Sequence, residues 1–205
     1  MASRPVSERS TVGWIYRSPT LYRLAMSVLD RERARRDRLV VDAIAAGSSV
    51  VDLCCGDASI APALLGKSCG YVGLDVNERF VAAARKRGLD ARVWDAETAD
   101  VPEADVVCLL ASLYQFVPDE RRLLERMLQS ARELVVIAEP VRNWATSGST
   151  FLRAVARRAT QVKGRTFEHR LSEADLDRLA ADLAPGAVRK EVLDRDVVLF
   201  IETLT

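Results

Sequence analysis

From residue 48 onward, short apolar runs alternate with amphipathic stretches. The runs at Ser49–Leu53, Gly70–Asp75, Ala91–Trp94, Asp105–Ala111 and Leu134–Ala138 are short and bounded by turn residues, so they read as strands. Between them, Ile60–Leu65, Glu78–Arg87 and Glu120–Ser130 read as helices. The last puts Leu123, Leu124, Met127 and Leu128 on one stripe, with Pro118 and Asp119 marking its start. Val-, Ile- and Leu-rich strands that alternate with helices predict a parallel sheet covered on both faces.

The two ends depart from this rhythm. Ile15, Leu21, Leu24, Ala25, Val28 and Leu29 fall near helical spacing, interrupted by Pro19. Asp30 to Arg38 is a mixed-charge run whose acids and arginines lie three to four residues apart, which predicts a solvated helix face. Leu39, Val40, Ile44 and Ala45 carry that helix on to Gly47. Toward the other end, Ser172 opens a capping-box-like segment that leads into a helix through Leu183, broken by Pro185-Gly186. Two strand-like runs follow, Ala187–Leu193 and Val197–Ile201. The short turn Asp194-Arg195-Asp196 between them makes them an antiparallel pair.

Composition narrows the class without choosing a chemistry. The 205 residues fit one domain with a sizeable core, and 49% apolar with 29% charged residues is ordinary for a globular protein. A net charge of +1 favours neither nucleic acid nor an acidic membrane as a bulk partner. Residues 1–10 are polar and lack the apolar stretch of a signal peptide, and no run is long enough to span a membrane, so a cytoplasmic location is expected. Cys54, Cys55, Cys69 and Cys108 form no C-x-x-C pair, and His169 is the sole histidine. Reduced, buried thiols and no metal site are the expectation.

The most informative stretch is Val50-Val51-Asp52-Leu53-Cys54-Cys55-Gly56-Asp57-Ala58-Ser59-Ile60. A strand runs into a small-residue turn and then a helix, an arrangement that turns a helix N-terminus toward a ligand. Asp75 ends the next strand, 23 residues after Asp52, where a carboxylate is well placed for a ribose. The turn fails the G-x-G-x-x-G pattern, which argues against a nicotinamide dehydrogenase.

Together these residues resemble the class I S-adenosylmethionine-dependent methyltransferases over roughly residues 48–203. Asp52 to Gly56 resembles the family's first motif, an acidic residue followed by glycines at alternate positions, although Cys54 and Ala58 replace two of those glycines. Gly73-Leu74-Asp75-Val76 resembles the second motif, whose acid binds both ribose hydroxyls. Trp94-Asp95-Ala96 resembles the third, where an Asp meets the adenine amine. Asp105 to Ala111, which includes Leu110, resembles the strand beneath the methionine portion. The resemblance implies an α/β fold: Rossmann-like, doubly wound, with a mostly parallel seven-stranded sheet, an antiparallel C-terminal strand and N-terminal helices. It implies one methyltransferase domain over 1–205: a helical cap (1–47), a cofactor-binding core (48–139), a lid-like insertion (140–170) and a C-terminal helix and hairpin (171–205).

The implied cofactor is S-adenosylmethionine and the implied partner a small-molecule acceptor, with specialised metabolism as the expected setting. Each expected site residue also has a plainer reading. Asp52 faces the amine end of the cofactor or caps its own turn. Cys54 and Gly56 floor the methionine tail, and Gly56 supplies the permissive backbone. Asp75 accepts from a ribose diol or sits as a solvated strand-end carboxylate. Asp95 accepts from an exocyclic amine or starts a turn, and Val76 packs on adenine or in the core.

His169 and Tyr114 are the candidates for a general base, against purely structural roles. Glu139 holds a substrate amine or hydroxyl, or is a turn carboxylate. Trp144, Phe151, Leu152, Val155 and Phe167, with Trp14, Tyr16 and Tyr22, form a lid or pack helices together. Three other functions share the fold: an RNA methyltransferase, a non-methylating enzyme that uses the cofactor, and a non-catalytic partner-binding protein.

Overall fold

A computed structural model describes residues 18, 22, 32–141, 171–184 and 186–203. Trp14, Tyr16, the helix expected over 14–29 apart from Ser18 and Tyr22, nearly all of the 140–170 insertion, and His169 lie outside the described residues. In chain order the elements are α1 (Arg33–Ala43), β1 (Ser49–Leu53), α2 (Ala61–Gly66), β2 (Gly70–Asp75), α3 (Glu78–Lys86) and β3 (Ala91–Val93). They continue with β4 (Ala104–Leu110), a 3-10 turn (Leu113–Phe116), α4 (Glu120–Ser130), β5 (Ala131–Pro140), α5 (Glu173–Leu183), β6 (Val188–Val192) and β7 (Asp196–Glu202).

The seven strands form one sheet in the order β3-β2-β1-β4-β5-β7-β6. The first five are parallel; β7 runs antiparallel to both β5 and β6, inserting the last strand between them. The expected fold class is therefore the observed one. Its order reverses between β1 and β4, and ligands of open α/β sheets bind outside the carboxyl ends of the strands at such a switch point.

Two cores flank the sheet. Alternation sends Val51 and Leu53 of β1 to one face, where Leu109, Ile137, Leu124, Met127 and Leu176 pack beneath α4 and α5. Val50 points to the other, among Val106, Val136 and Phe200 with Val40 of α1, Ile44 just beyond it and Leu64 of α2. Ser172 caps α5 as its sequence predicts: its Oγ accepts from Asp175 N–H at 3.2 Å, while Asp175 Oδ2 accepts from Ser172 N–H at 2.9 Å.

Three expectations need correction. The mixed-charge run does not form a wholly solvated face. Arg36 is 4% exposed and donates to Asp196 Oδ2 at 2.9 Å, and Arg33 pairs with Asp57. Helical spacing sees only neighbours within α1, whereas these partners lie 160 and 24 positions away. β5 begins at Ala131, directly after α4, because the exposed Arg132 and Glu133 hide its start from an apolar pattern. β3 stops at Val93, and buried Trp94 instead donates its indole N–H to the Asp100 carbonyl at 2.9 Å.

Candidate functional site

The loop between β1 and α2 keeps a glycine-type backbone without the glycines. Cys54, Gly56 and Ala58 all have φ +53°, the left-handed region in which an L-residue is strained by roughly 1–2 kcal/mol. Two replaced glycines thus leave the alternating conformation intact. Cys55 N–H donates to the Leu74 carbonyl at 3.0 Å, and Ala58 N–H to the Cys55 carbonyl at 2.8 Å. The loop is thereby stitched to the end of β2.

Asp75 completes that stitch. Its Oδ2 accepts from Gly56 N–H at 2.8 Å and its Oδ1 from Asn77 N–H at 2.7 Å. Burial raises its pKa, and the two N–H bonds act in the opposite direction. A carboxylate has about four acceptor sites. With two filled by these bonds, Asp75 keeps acceptor capacity at the β2 terminus. It is buried, which corrects the reading of a solvated strand end.

Asp52 ends up beneath the loop, 3% exposed, with Oδ2 accepting from the Tyr71 hydroxyl at 2.8 Å. Burial, with Asp37, Asp75 and Asp57 nearby, pushes its carboxyl up to about 7 against the pull of the Tyr71 bond. Val76 is exposed immediately beyond Asp75, so it is not a core residue. Asp95 is half-buried and does start a turn: its Oδ1 accepts from Glu97 N–H at 3.1 Å. The Ala96 carbonyl accepts from Arg126 at 2.6 Å, which anchors this turn to α4.

Leu110 closes β4, and Ala111 beyond it turns left-handed at φ +54°. Tyr114 is buried in the 3-10 turn that follows. Glu139 is fully buried within β5, and its Oε2 accepts from Leu113 N–H at 2.9 Å. It therefore fixes the Tyr114 turn from inside the sheet rather than serving as a turn carboxylate. Tyr22 stands edge-on to Phe80, ring centroids 5.0 Å apart, beside the Gly56 backbone. Burial raises its phenol pKa, with Arg33, Asp57, Tyr114 and Asp75 among the groups acting on it.

The carboxyl ends of β1, β2 and β4 and the turn after β3 thus bring Asp52, Cys54, Gly56, Asp75, Val76, Asp95, Ala96 and Leu110 to one edge of the sheet. Tyr71 and the Arg33–Asp57 pair escaped the sequence reading. Tyr71 looked like an ordinary strand aromatic, and only the register that sets Val50 opposite Tyr71 and Asp52 opposite Gly73 puts its hydroxyl in reach. Among the described residues, no three His, Cys, Asp or Glu side chains are grouped to hold a metal ion.

Residues 50–135, which carry this loop and Asp75, match the family model described as a methyltransferase domain. Over residues 50–135 the chain belongs to the methyltransferase domain family. Within the family, it is 33% identical over 152 residues to a trans-aconitate 2-methyltransferase of Mycobacterium tuberculosis, covering 72% of this chain and 52% of the relative. A protein of the same name from Mycolicibacterium gilvum is 41% identical over 80 residues, 38% of this chain and 31% of that one. The matches span only about a third to a half of these curated relatives' length.

Among solved structures, the magnesium protoporphyrin IX methyltransferase of Synechocystis with bound S-adenosylhomocysteine superposes with a TM-score of 0.63 at 13% identity, covering 99% of this chain and 90% of that one. Human N-acetylserotonin methyltransferase in complex with S-adenosylmethionine gives 0.63 at 17% identity, covering 93% and 58%. At these identities the likeness shows a shared fold. No helix among the described residues is long and apolar enough to cross a membrane.

Proposed function

We propose that this chain binds S-adenosylmethionine along the carboxyl edge of β1, β2 and β4 and transfers its methyl group to a small-molecule acceptor. The observation that carries the reading is the Gly56–Asp75 bond, which locks a left-handed loop against a buried carboxylate with acceptor sites to spare. On this reading Asp75 accepts from the ribose hydroxyls and Asp95 from the adenine amine. Val76 and Ala96 pack beside the base, Cys54, Gly56 and Leu110 floor the amino-acid tail, and Asp52 faces its ammonium. Residues 48–139 form the cofactor core, and α5, β6 and β7 complete the sheet and its cover.

The cofactor, when bound, supplies an already activated methyl on a sulfonium. The chain's own work is alignment of the acceptor and exclusion of water. The buried Glu139–Leu113 bond holds Tyr114 at the acceptor side of the sheet edge, where Tyr114 orients the acceptor or takes its proton. His169 is the second candidate for that proton. A formal net charge of +1 favours a small acceptor over RNA, and free, mostly buried cysteines suit a reducing cytoplasm.

Incubation with methyl-labelled cofactor, trans-aconitate and a panel of other small acids, phenols and amines, read by mass spectrometry, tests the proposal. Label in a small product with matching S-adenosylhomocysteine supports it. Label confined to added RNA, or acceptor consumed without S-adenosylhomocysteine, overturns it.

A further inference from the structure

We propose that Tyr71 is a positioning residue: through its hydroxyl it fixes the Asp52 carboxylate beneath the Cys54–Ala58 loop and so governs how strongly the site holds the ammonium end of the cofactor. The inference rests on the cofactor reading above and adds to it a residue outside the loop and the strand ends. Its geometry begins with the sheet. Tyr71 lies opposite Val50 on the neighbouring strand, and Asp52 lies opposite Gly73, so all four side-chain positions share one face. The Tyr71 ring reaches along that face, over Gly73, to the carboxylate.

Gly73 makes the reach possible. A Cβ there would lie 2.8 Å from Cys55 Sγ, 2.9 Å from the Tyr71 hydroxyl oxygen and 3.2 Å from its ring. The glycine is thus the space into which the phenol and the thiol fit. Tyr71 is itself buried, and a buried hydroxyl costs free energy unless it is bonded. A phenylalanine would fill the same core volume; the hydroxyl is there for Asp52.

The surroundings make that bond consequential. Cys54, Cys55 and Asp57 of the loop, Tyr71 and Asp75 of β2, Cys108 of β4 and Asp37 of α1 are the titratable groups acting on Asp52. The thiols are held neutral by burial, and the three other carboxylates repel charge on Asp52. Asp37 is itself paired with Arg33 and Arg36, which places those cations at one remove. Within this set, the phenol is the group that favours the ionised carboxylate. A ligand ammonium arriving above the loop would be the second.

Calorimetric titration of S-adenosylhomocysteine into the full chain, its Tyr71→Phe and Asp52→Asn variants and the double variant, from about pH 6 to about pH 8, tests this. For the unmodified chain, affinity rises with pH through a midpoint near the Asp52 value of about 7. In Tyr71→Phe the midpoint moves up by roughly one pH unit, and affinity at neutral pH falls roughly fivefold. Asp52→Asn removes the pH dependence, and adding Tyr71→Phe to it changes nothing further.

An unshifted midpoint in a Tyr71→Phe protein that still binds overturns the role of Tyr71 while leaving the cofactor reading standing. Absence of binding by the unmodified chain at every pH overturns both. Carbon-13 NMR of the Asp52 carboxyl in the unmodified chain is a check that needs no variant to fold. Ligand should lower its titration midpoint, and an unmoved midpoint overturns the inference.

Discussion

Gly56→Ala separates the loop's part in binding from its part in folding. At φ +53° an L-residue costs roughly 1–2 kcal/mol, and about 0.4–1 kcal/mol returns through the stiffer unfolded chain. No collision adds to this, because the new Cβ would meet nothing closer than the Tyr22 ring at 3.9 Å and the Cys54 carbonyl oxygen at 4.0 Å. The net cost is about 1 kcal/mol, a fall of roughly 2–4 °C in melting temperature for a chain of this size. Cys54 and Ala58 already sit in the same conformation, so strain of this kind is tolerated.

Binding should suffer far more. The methyl would project from the loop toward Tyr22; under the proposed function the cofactor lies across this face of the loop, so affinity for S-adenosylhomocysteine should drop by about tenfold or more, some 1.4 kcal/mol or greater. Differential scanning calorimetry and binding titration on the same preparation give both numbers. A melting temperature lowered as expected with unchanged affinity would refute the claim that this loop face carries the cofactor.

Other perturbations address separate contacts. Asp75→Ala should abolish measurable cofactor binding and, by orphaning the Gly56 and Asn77 N–H groups, cost about 1–3 kcal/mol in urea denaturation. Arg36→Ala leaves the Asp196 carboxylate buried without its guanidinium and should cost roughly 3–5 kcal/mol. Pairing Arg36→Met with Asp196→Leu should recover most of that loss. Asp105 is held near pKa 2 by Ser49 N–H, the Ser49 hydroxyl and Arg132. Its folded-state value lies below the unfolded one, so its contribution is present above about pH 4 and lost as pH falls toward about 2. Asp105→Asn should therefore flatten that acid limb in pH-dependent denaturation. Asp52 has the opposite sign: its raised value destabilises the fold as pH climbs from about 4 toward about 7, and Asp52→Asn should remove that slope.

The elements that were legible in the sequence are those whose signal is local. β1, β2 and α4 coincide with their expected spans because an apolar run, or one stripe over three turns, defines each of them. The Ser172–Asp175 box was readable because its two bonds join residues three apart. What escaped was carried by distant partners. The Arg36–Asp196 pair spans 160 positions, and the Asp52–Tyr71 bond depends on parallel strand register. The loop was readable as a departure from an alternating-glycine pattern, yet whether Cys54 and Ala58 preserve its shape is a question of φ, which residue type does not fix.

The central claim, an S-adenosylmethionine site at the carboxyl edge built on Asp75 and the Cys54–Ala58 loop, is tested most directly by calorimetric titration of the full chain with that cofactor. One saturable site per chain, lost in a folded Asp75→Ala variant, is the predicted result. A folded chain that gives no binding heat, or one whose binding survives Asp75→Ala unchanged, would contradict it.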